Sequence, residues 1–507
     1  MSRNAAVFAA ALALAAACRH ETPAQRTESA PSASSGATDS NSAALDAGRE
    51  SASSRDAGRA ASDAPAQDPR LLAMADEIAT EVSQLRSLAL RRPIERGVMN
   101  REEVLNRLRA RVGNEYPPGE IVLEGEMLKR LGFLPESLDY EQTVFDLLEE
   151  QVAGFYDPDD GRLFIASWVP RLMQAPTMAH EITHALQDQH FDLSRFTHHV
   201  RGRGDAQTAA MAIVEGDATV VMLEHMMHPL GRSVRDIPDP DAMFRSQIMQ
   251  TTGQPRMAAA PRALRETLLF PYQYGFGVCA RQYTARGFTA VDDLLRTPPD
   301  STEQVLHADK LASREAPIAI PAALPAALAS DHVLVSDDVM GEFGLQLFLE
   351  RGVDDPTSER DAAGWGGDRA ILFAPRASGI VVGAGDAGTQ LPAGATQQLG
   401  LAWTVVFDRA AGRPDDGEAR EFETGAIAVL AARYPNAAGR VVPGASRALE
   451  TEPGRMAVVA RSGRAVLVLD RAPADRVDAM VQSMLAEANR IANAGAPSTG
   501  GGSGRRR

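Results

Sequence analysis

The amino-acid sequence predicts an α+β protein: a mainly helical unit with a small β-hairpin over about residues 68–312, then a smaller α+β unit over about 313–493. Three patterns carry this expectation. Apolar residues recur at threes and fours between 68 and 152, the period drops to near two across 153–166, and beyond 329 strand-like and helix-like stretches alternate. A length of 507 residues, at about 100–200 per domain, allows two or three such units.

Composition sets limits on function. Lys and Arg number 52 against 67 Asp and Glu, a net charge of −15, so a nonspecific grip on nucleic-acid phosphate is not expected. The two cysteines, Cys18 and Cys279, exclude a disulfide scaffold. Arg3 followed by the apolar stretch Ala5–Ala17 has the form of a secretion signal over 1–17. Leu14-Ala15-Ala16-Ala17-Cys18 resembles a bacterial lipobox, although Ala15 stands where leucine is usual, which makes Cys18 the expected lipidation site. A simple cut after Ala17 would leave that cysteine without a role. Residues 18–67, nearly free of branched or aromatic apolar side chains, form an expected disordered tether, and 494–507 a disordered tail. The chain is therefore expected to be exported and held at the cell envelope through a lipid anchor. Cys279 is then a buried small hydrophobe.

In chain order, Leu71, Leu72, Met74, Ile78, Val82, Leu85 and Leu88 mark a first helix, and 101–112 and 140–152 mark two more. Residues 153–157 and 162–166 flank the turn-rich Pro158-Asp-Asp-Gly161 and predict a hairpin. The next helix is expected to start near Pro176, since proline suits the first helical position. It carries His180-Glu181-Ile-Thr-His184, an H-E-x-x-H motif. At about 100° per residue the two histidines lie about 40° apart on one face and can converge on one metal ion. Glu181 sits beside them, placed to take a proton from a metal-bound water as general base.

A hydrolytic zinc site has three protein ligands, so a third is needed. His190 has metzincin spacing but points away on a continuous helix, and Gln187 stands where metzincins break the helix with glycine. The alternative lies on a second helix, after Asp205 as N-cap, which is apolar nearly all round and carries Glu215 and Asp217 about 200° apart. A carboxylate in such a helix needs a partner, either a metal or a buried arginine. Glu215 is taken as the ligand, Asp217 as supporting or surface, and Asp188 as a residue that could orient a ligand imidazole.

His180-Glu181-x-x-His184 followed by Glu215 on a later helix resembles the gluzincin class of zinc metallopeptidases. Gln151-Val-Ala-Gly-Phe-Tyr-Asp157, 180–191, Glu215-Gly-Asp-Ala218 and Ser301-Thr-Glu-Gln304 further resemble a largely uncharacterised family of exported bacterial proteins, over about 68–310. The resemblance implies a zincin-like fold, one zinc ion held by His180, His184 and Glu215, Glu181 as general base and acid, and a peptide or protein substrate. The chain departs from thermolysin-like enzymes at Thr219, where they have an aspartate. Tyr272, Tyr274, His225, His228 and His307 are candidate oxyanion donors. Ser301–Gln304 also has capping-box spacing. The alternative function is a non-enzymatic envelope lipoprotein whose metal site is structural or vestigial and which binds a protein partner.

In the second unit, strands are expected at 369–373, 401–407, 456–460 and 465–469, the last pair a hairpin across Ser462-Gly463. Helices are expected at 416–434 and 474–492, packed on one face of the sheet. Gly383-Ala-Gly-Asp-Ala-Gly388 matches G-x-G-x-x-G but precedes Pro392 and Gly394 instead of opening a helix, so a glycine-rich loop is expected. Gly364–Arg369 is expected to be a turn anchored by Trp365.

Overall fold

A computed structural model describes residues 68–494 apart from 199, 241, 245–253 and 410–414. The expected signal, tether and Cys18 lie outside the described residues, as does the expected tail beyond Ala494. The architecture is α+β, a large helical region and a β-sheet unit. Among the described residues no helix is long and apolar enough to cross a membrane.

Helix α1 (Pro69–Arg86) starts where predicted, with the Asp68 carboxylate accepting the Arg70 N–H and Pro69 in the first turn. It buries Leu71, Ala75, Ile78, Ala79 and Val82. Strand β1 (Glu95–Met99) leads to α2 (Arg101–Glu115), opened by a reciprocal Asn100–Glu103 capping box. Helix α3 (Glu120–Arg130) had no counterpart among the predicted elements. Its three glutamates are buried along with most of its apolar residues, so charge along the helix does not mark a solvent face. Helix α4 (Tyr140–Gln151) leads into β2 (Gly154–Asp157) and β3 (Arg162–Ala166), the expected hairpin, with Gly154 opposite Ile165. Strand β1 adds to β3 in parallel, giving the order β1-β3-β2.

Helix α5 (Arg171–Phe191) begins five residues before the expected start, leaving Pro176 inside it. Proline there removes the bond to the Leu172 carbonyl, and Leu172 is 78% exposed, so that carbonyl can meet water. Helices α6 (Gly204–Met227) and α7 (Arg262–Arg286) cross at van der Waals distance because Gly216 faces Gly275. A Cβ on Gly275 would land on the Ala212 backbone, which cannot yield as a side chain can. Gly275→Ala is expected to cost about 1–3 kcal/mol, measured by chemical denaturation, because it wedges apart two packed backbones.

The second unit is a seven-stranded antiparallel sheet, ordered β4 (His332–Asp338), β5 (Trp365–Pro375), β8 (Gly400–Phe407), β12 (Ala465–Pro473), β11 (Arg455–Ser462), β10 (Ala445–Glu452) and β9 (Ala438–Gly439). Helices were expected on one face only; they cover both. Trp403 and Phe407 pack against Phe348 of α10 (Gly341–Leu349) and Phe422 of α11 (Gly417–Arg433). On the other face Ile371, Phe373, Leu467 and Leu469 join Met480 and Val481 of α12 (Val477–Ala494). Double coverage explains why β8 is buried throughout and apolar at every position but Thr404. Gly364–Arg369 is strand, not turn, from Trp365 onward. Asp368 explains its sequence: its carboxylate accepts the indole N–H of Trp365 and of Trp403 and the backbone N–H of Met340 and Gly341. The glycine-rich segment is a loop between the two-residue strands β6 (Val381–Val382) and β7 (Thr389–Gln390), as expected.

The two units meet at the start of α6. Its N-terminus has no side-chain cap of its own segment. Instead Asp338 accepts the Gly204 N–H at 2.7 Å and the Val339 carbonyl accepts the Asp205 N–H at 3.2 Å. Asp205 is therefore not the expected N-cap; its carboxylate accepts the N–H and hydroxyl of Thr302. Beyond α8 (Phe288–Arg296), Thr302 opens α9 (Thr302–Leu306), where Ser301 caps the Gln304 N–H, one half of the predicted box. Burial pushes the Asp205 carboxyl up to about 8, the neighbouring Asp368 and Asp338 adding to it and Thr302 opposing. Between its ordinary value of 3.8 and about 8 the folded chain holds a proton that the unfolded chain has lost, so this group's contribution to stability falls as pH rises through that window. Its slope reaches about 1.4 kcal/mol per pH unit. Asp205→Asn is expected to flatten that decline, read from denaturation midpoints across pH.

Candidate metal centre

Helix α5 presents His180 and His184 one turn apart, their rings 4.7 Å apart at 84°. Helix α6 brings Glu215 to them: one carboxylate oxygen lies 3.1 Å from His180 Nε2 and the other 3.5 Å from His184 Nε2. One donor atom from each residue falls within 4.8 Å of the others. His180 and Glu215 are 0% and 1% exposed, and His184, at 5%, is the ligand nearest solvent. Two imidazole nitrogens and a carboxylate oxygen suit zinc. His184 Nε2 is buried with no hydrogen-bond partner, which a cation in this cradle would supply. The set fits the ion that the sequence implied.

Glu181 projects beside the cradle. Strand β2 holds it, the Tyr156 N–H donating to Oε2 at 2.9 Å, while Oε1 is buried and unpartnered. Burial pushes its carboxyl up to about 8, with Glu215 adding and His184 opposing. Burial alone would also raise Glu215, but His184 and His180 outweigh it and hold it below the ordinary value. Burial lowers His180. In His184 the pull of Glu215 and Glu181 overcomes burial and raises it to about 9. A dication would reverse that preference, because ligating imidazoles are neutral.

Behind the ligands lies a buried polar chain that the sequence did not reveal. His184 Nδ1 meets Gln187 Oε1 at 2.9 Å, and Gln187 Nε2 donates to the Val214 carbonyl and to Asp217. Asp217 receives Arg86 Nε at 2.8 Å, and Arg86 continues to Asp292 at 2.6 Å while stacking over Phe288. The buried arginine that could have neutralised Glu215 thus exists, but pairs with Asp217. Asp188 does not orient a ligand; it takes Arg92 and the Tyr156 hydroxyl. His190 is no ligand, its Nε2 lying 2.8 Å from the Ala89 carbonyl at the end of an unbroken helix.

Of the five oxyanion candidates, Tyr272 stands at the centre, its ring stacked on His180 at 6.3 Å. Tyr274 packs on Phe270, His225 meets Glu81, His307 meets Glu342, and His228 lies in a short 3-10 turn beyond α6. Cys279 is a buried free thiol against the Ile213 carbonyl, as expected. A family model described as a domain of unknown function, DUF8575, matches residues 332–481, from β4 into α12. No curated protein and no solved structure matches the chain.

Proposed function

We propose that the chain is an exported, gluzincin-like zinc metallopeptidase with a zincin-like first unit, which hydrolyses peptide bonds in a peptide or protein substrate. The observation that carries this reading is the three-ligand set His180, His184 and Glu215 with the unpartnered Glu181 oxygen beside it. Structural zinc sites take four protein ligands, whereas hydrolytic ones take three. Zinc held there supplies Lewis acidity, polarising a carbonyl and acidifying water. Glu181, oriented through its other oxygen by Tyr156, takes the proton from the attacking water and returns it to the leaving amine. Cys18 tethers the body to the membrane as a lipoprotein, and nucleic acid is not a partner.

The burial of all three ligands favours a second reading, an envelope protein that uses the metal for structure and binds a protein partner. The test is zinc content by mass spectrometry of the purified protein together with hydrolysis of a peptide library. One zinc per chain with chelator-sensitive cleavage supports the peptidase. One zinc, a melting temperature lowered by chelation and no cleavage supports the second reading; a metal-free protein sinks the peptidase and leaves only a vestigial site.

A further inference from the structure

We infer that Gln187 is a positioning residue that fixes which nitrogen of His184 carries the proton and so aims the other into the cradle. The inference rests on the peptidase reading only for the identity of the ligand. An amide side chain has two ends that density rarely distinguishes, so its orientation must come from its partners. Here the partners decide. Gln187 Nε2 lies 3.0 Å from the Val214 carbonyl and 2.9 Å from an Asp217 oxygen. Both are acceptors only, since the Asp217 carboxylate is ion-paired with the fully buried Arg86. The amide nitrogen must therefore face them and the amide oxygen must face His184, 2.9 Å from Nδ1. An amide oxygen cannot donate, so Nδ1 carries the hydrogen, and the neutral ring presents a bare lone pair at Nε2. That atom lies 3.5 Å from Glu215 and has no other hydrogen-bond partner.

The two imidazoles are held differently as a result. His180 Nδ1 is buried without a hydrogen-bond partner, as is the hydroxyl of Thr219. One ligand is aimed by a side-chain chain that runs back to α1 through Arg86, the other by packing against Tyr272. A neutral amide between His184 and Asp217 also lets a carboxylate orient the ligand without placing a second negative charge on the ring, as a direct carboxylate partner would.

The test uses the full chain. In zinc-loaded protein labelled with nitrogen-15, long-range proton–nitrogen NMR is expected to show the His184 ring protonated at Nδ1 and metallated at Nε2. Metallation through Nδ1 overturns the inference. Gln187→Met, which keeps volume but removes both amide ends, is expected to weaken zinc binding about 10- to 100-fold in competition with a chelator. An unchanged affinity in a folded Gln187→Met chain overturns it too, because a merely structural role would lower the metal-free melting temperature and leave the affinity alone. Should the chain bind no zinc, the peptidase reading fails separately, and the same spectrum of metal-free protein, showing whether the neutral His184 ring holds its proton at Nδ1 or at Nε2, still decides the role of Gln187.

Discussion

Glu181→Gln is expected to lower kcat for a peptide substrate by about 10²- to 10⁴-fold while one zinc stays bound, because the substitution removes the base and keeps the shape. Glu181 is 1% exposed, so a shorter side chain would leave a void, whereas glutamine fills the same volume. Its side-chain oxygen can still accept the Tyr156 N–H that now holds Oε2. Fold and ligands should therefore survive, and the loss should fall on the proton-transfer step. Single-turnover cleavage with metal content measured on the same sample checks both halves. Residual activity within a few-fold of the parent would assign the base elsewhere.

Arg86→Met is expected to destabilise the fold by about 3–5 kcal/mol, the cost of breaking a buried ion pair from one side. Arg86 and Asp217 are both 0% exposed, and Asp217 lies too deep to recruit water in its place. Methionine follows the aliphatic stem but lacks the guanidinium that lies over Phe288, so the comparison with the double variant is what separates the stranded carboxylate from the lost packing. Urea denaturation of Arg86→Met, Asp217→Asn and the double variant closes the cycle. The double variant is expected to be more stable than Arg86→Met alone, since the fully buried charge of Asp217 is gone and Asp292, partly exposed, keeps Arg296 at 3.7 Å. Additive losses would show that the pair does not act as a unit.

What the sequence made legible was local. The histidine spacing, the hairpin and the starts of α1 and α2 depend on residues within a turn of one another, and each was found where periodicity placed it, although α1 ends before Leu88 and α2 runs three residues past Val112. Glu215 was legible for a different reason, since a carboxylate in an apolar helix announces a partner. Its neighbour Asp217 announced one equally, but the choice of Arg86 over solvent depends on a helix 131 residues away. Gln187 looked ordinary because an amide has no preferred burial, and its role follows only from what α6 places against it. Helix α10 escaped for a different reason: all nine of its residues are buried, so it carries no one-sided pattern to detect.

The junction between the units also sets the order in which the centre can be completed. The backbone donors at the start of α6 find their acceptors in Asp338 and Val339, 134 residues further along the chain for the Gly204 contact. Until those residues have been made, water must serve those donors, although both histidines and Glu215 already exist. Contacts of such separation close slowly, because the intervening chain must first surrender its freedom. The start of the helix that carries Glu215 is thus fixed late, at the pace of the sheet unit and not of its own segment.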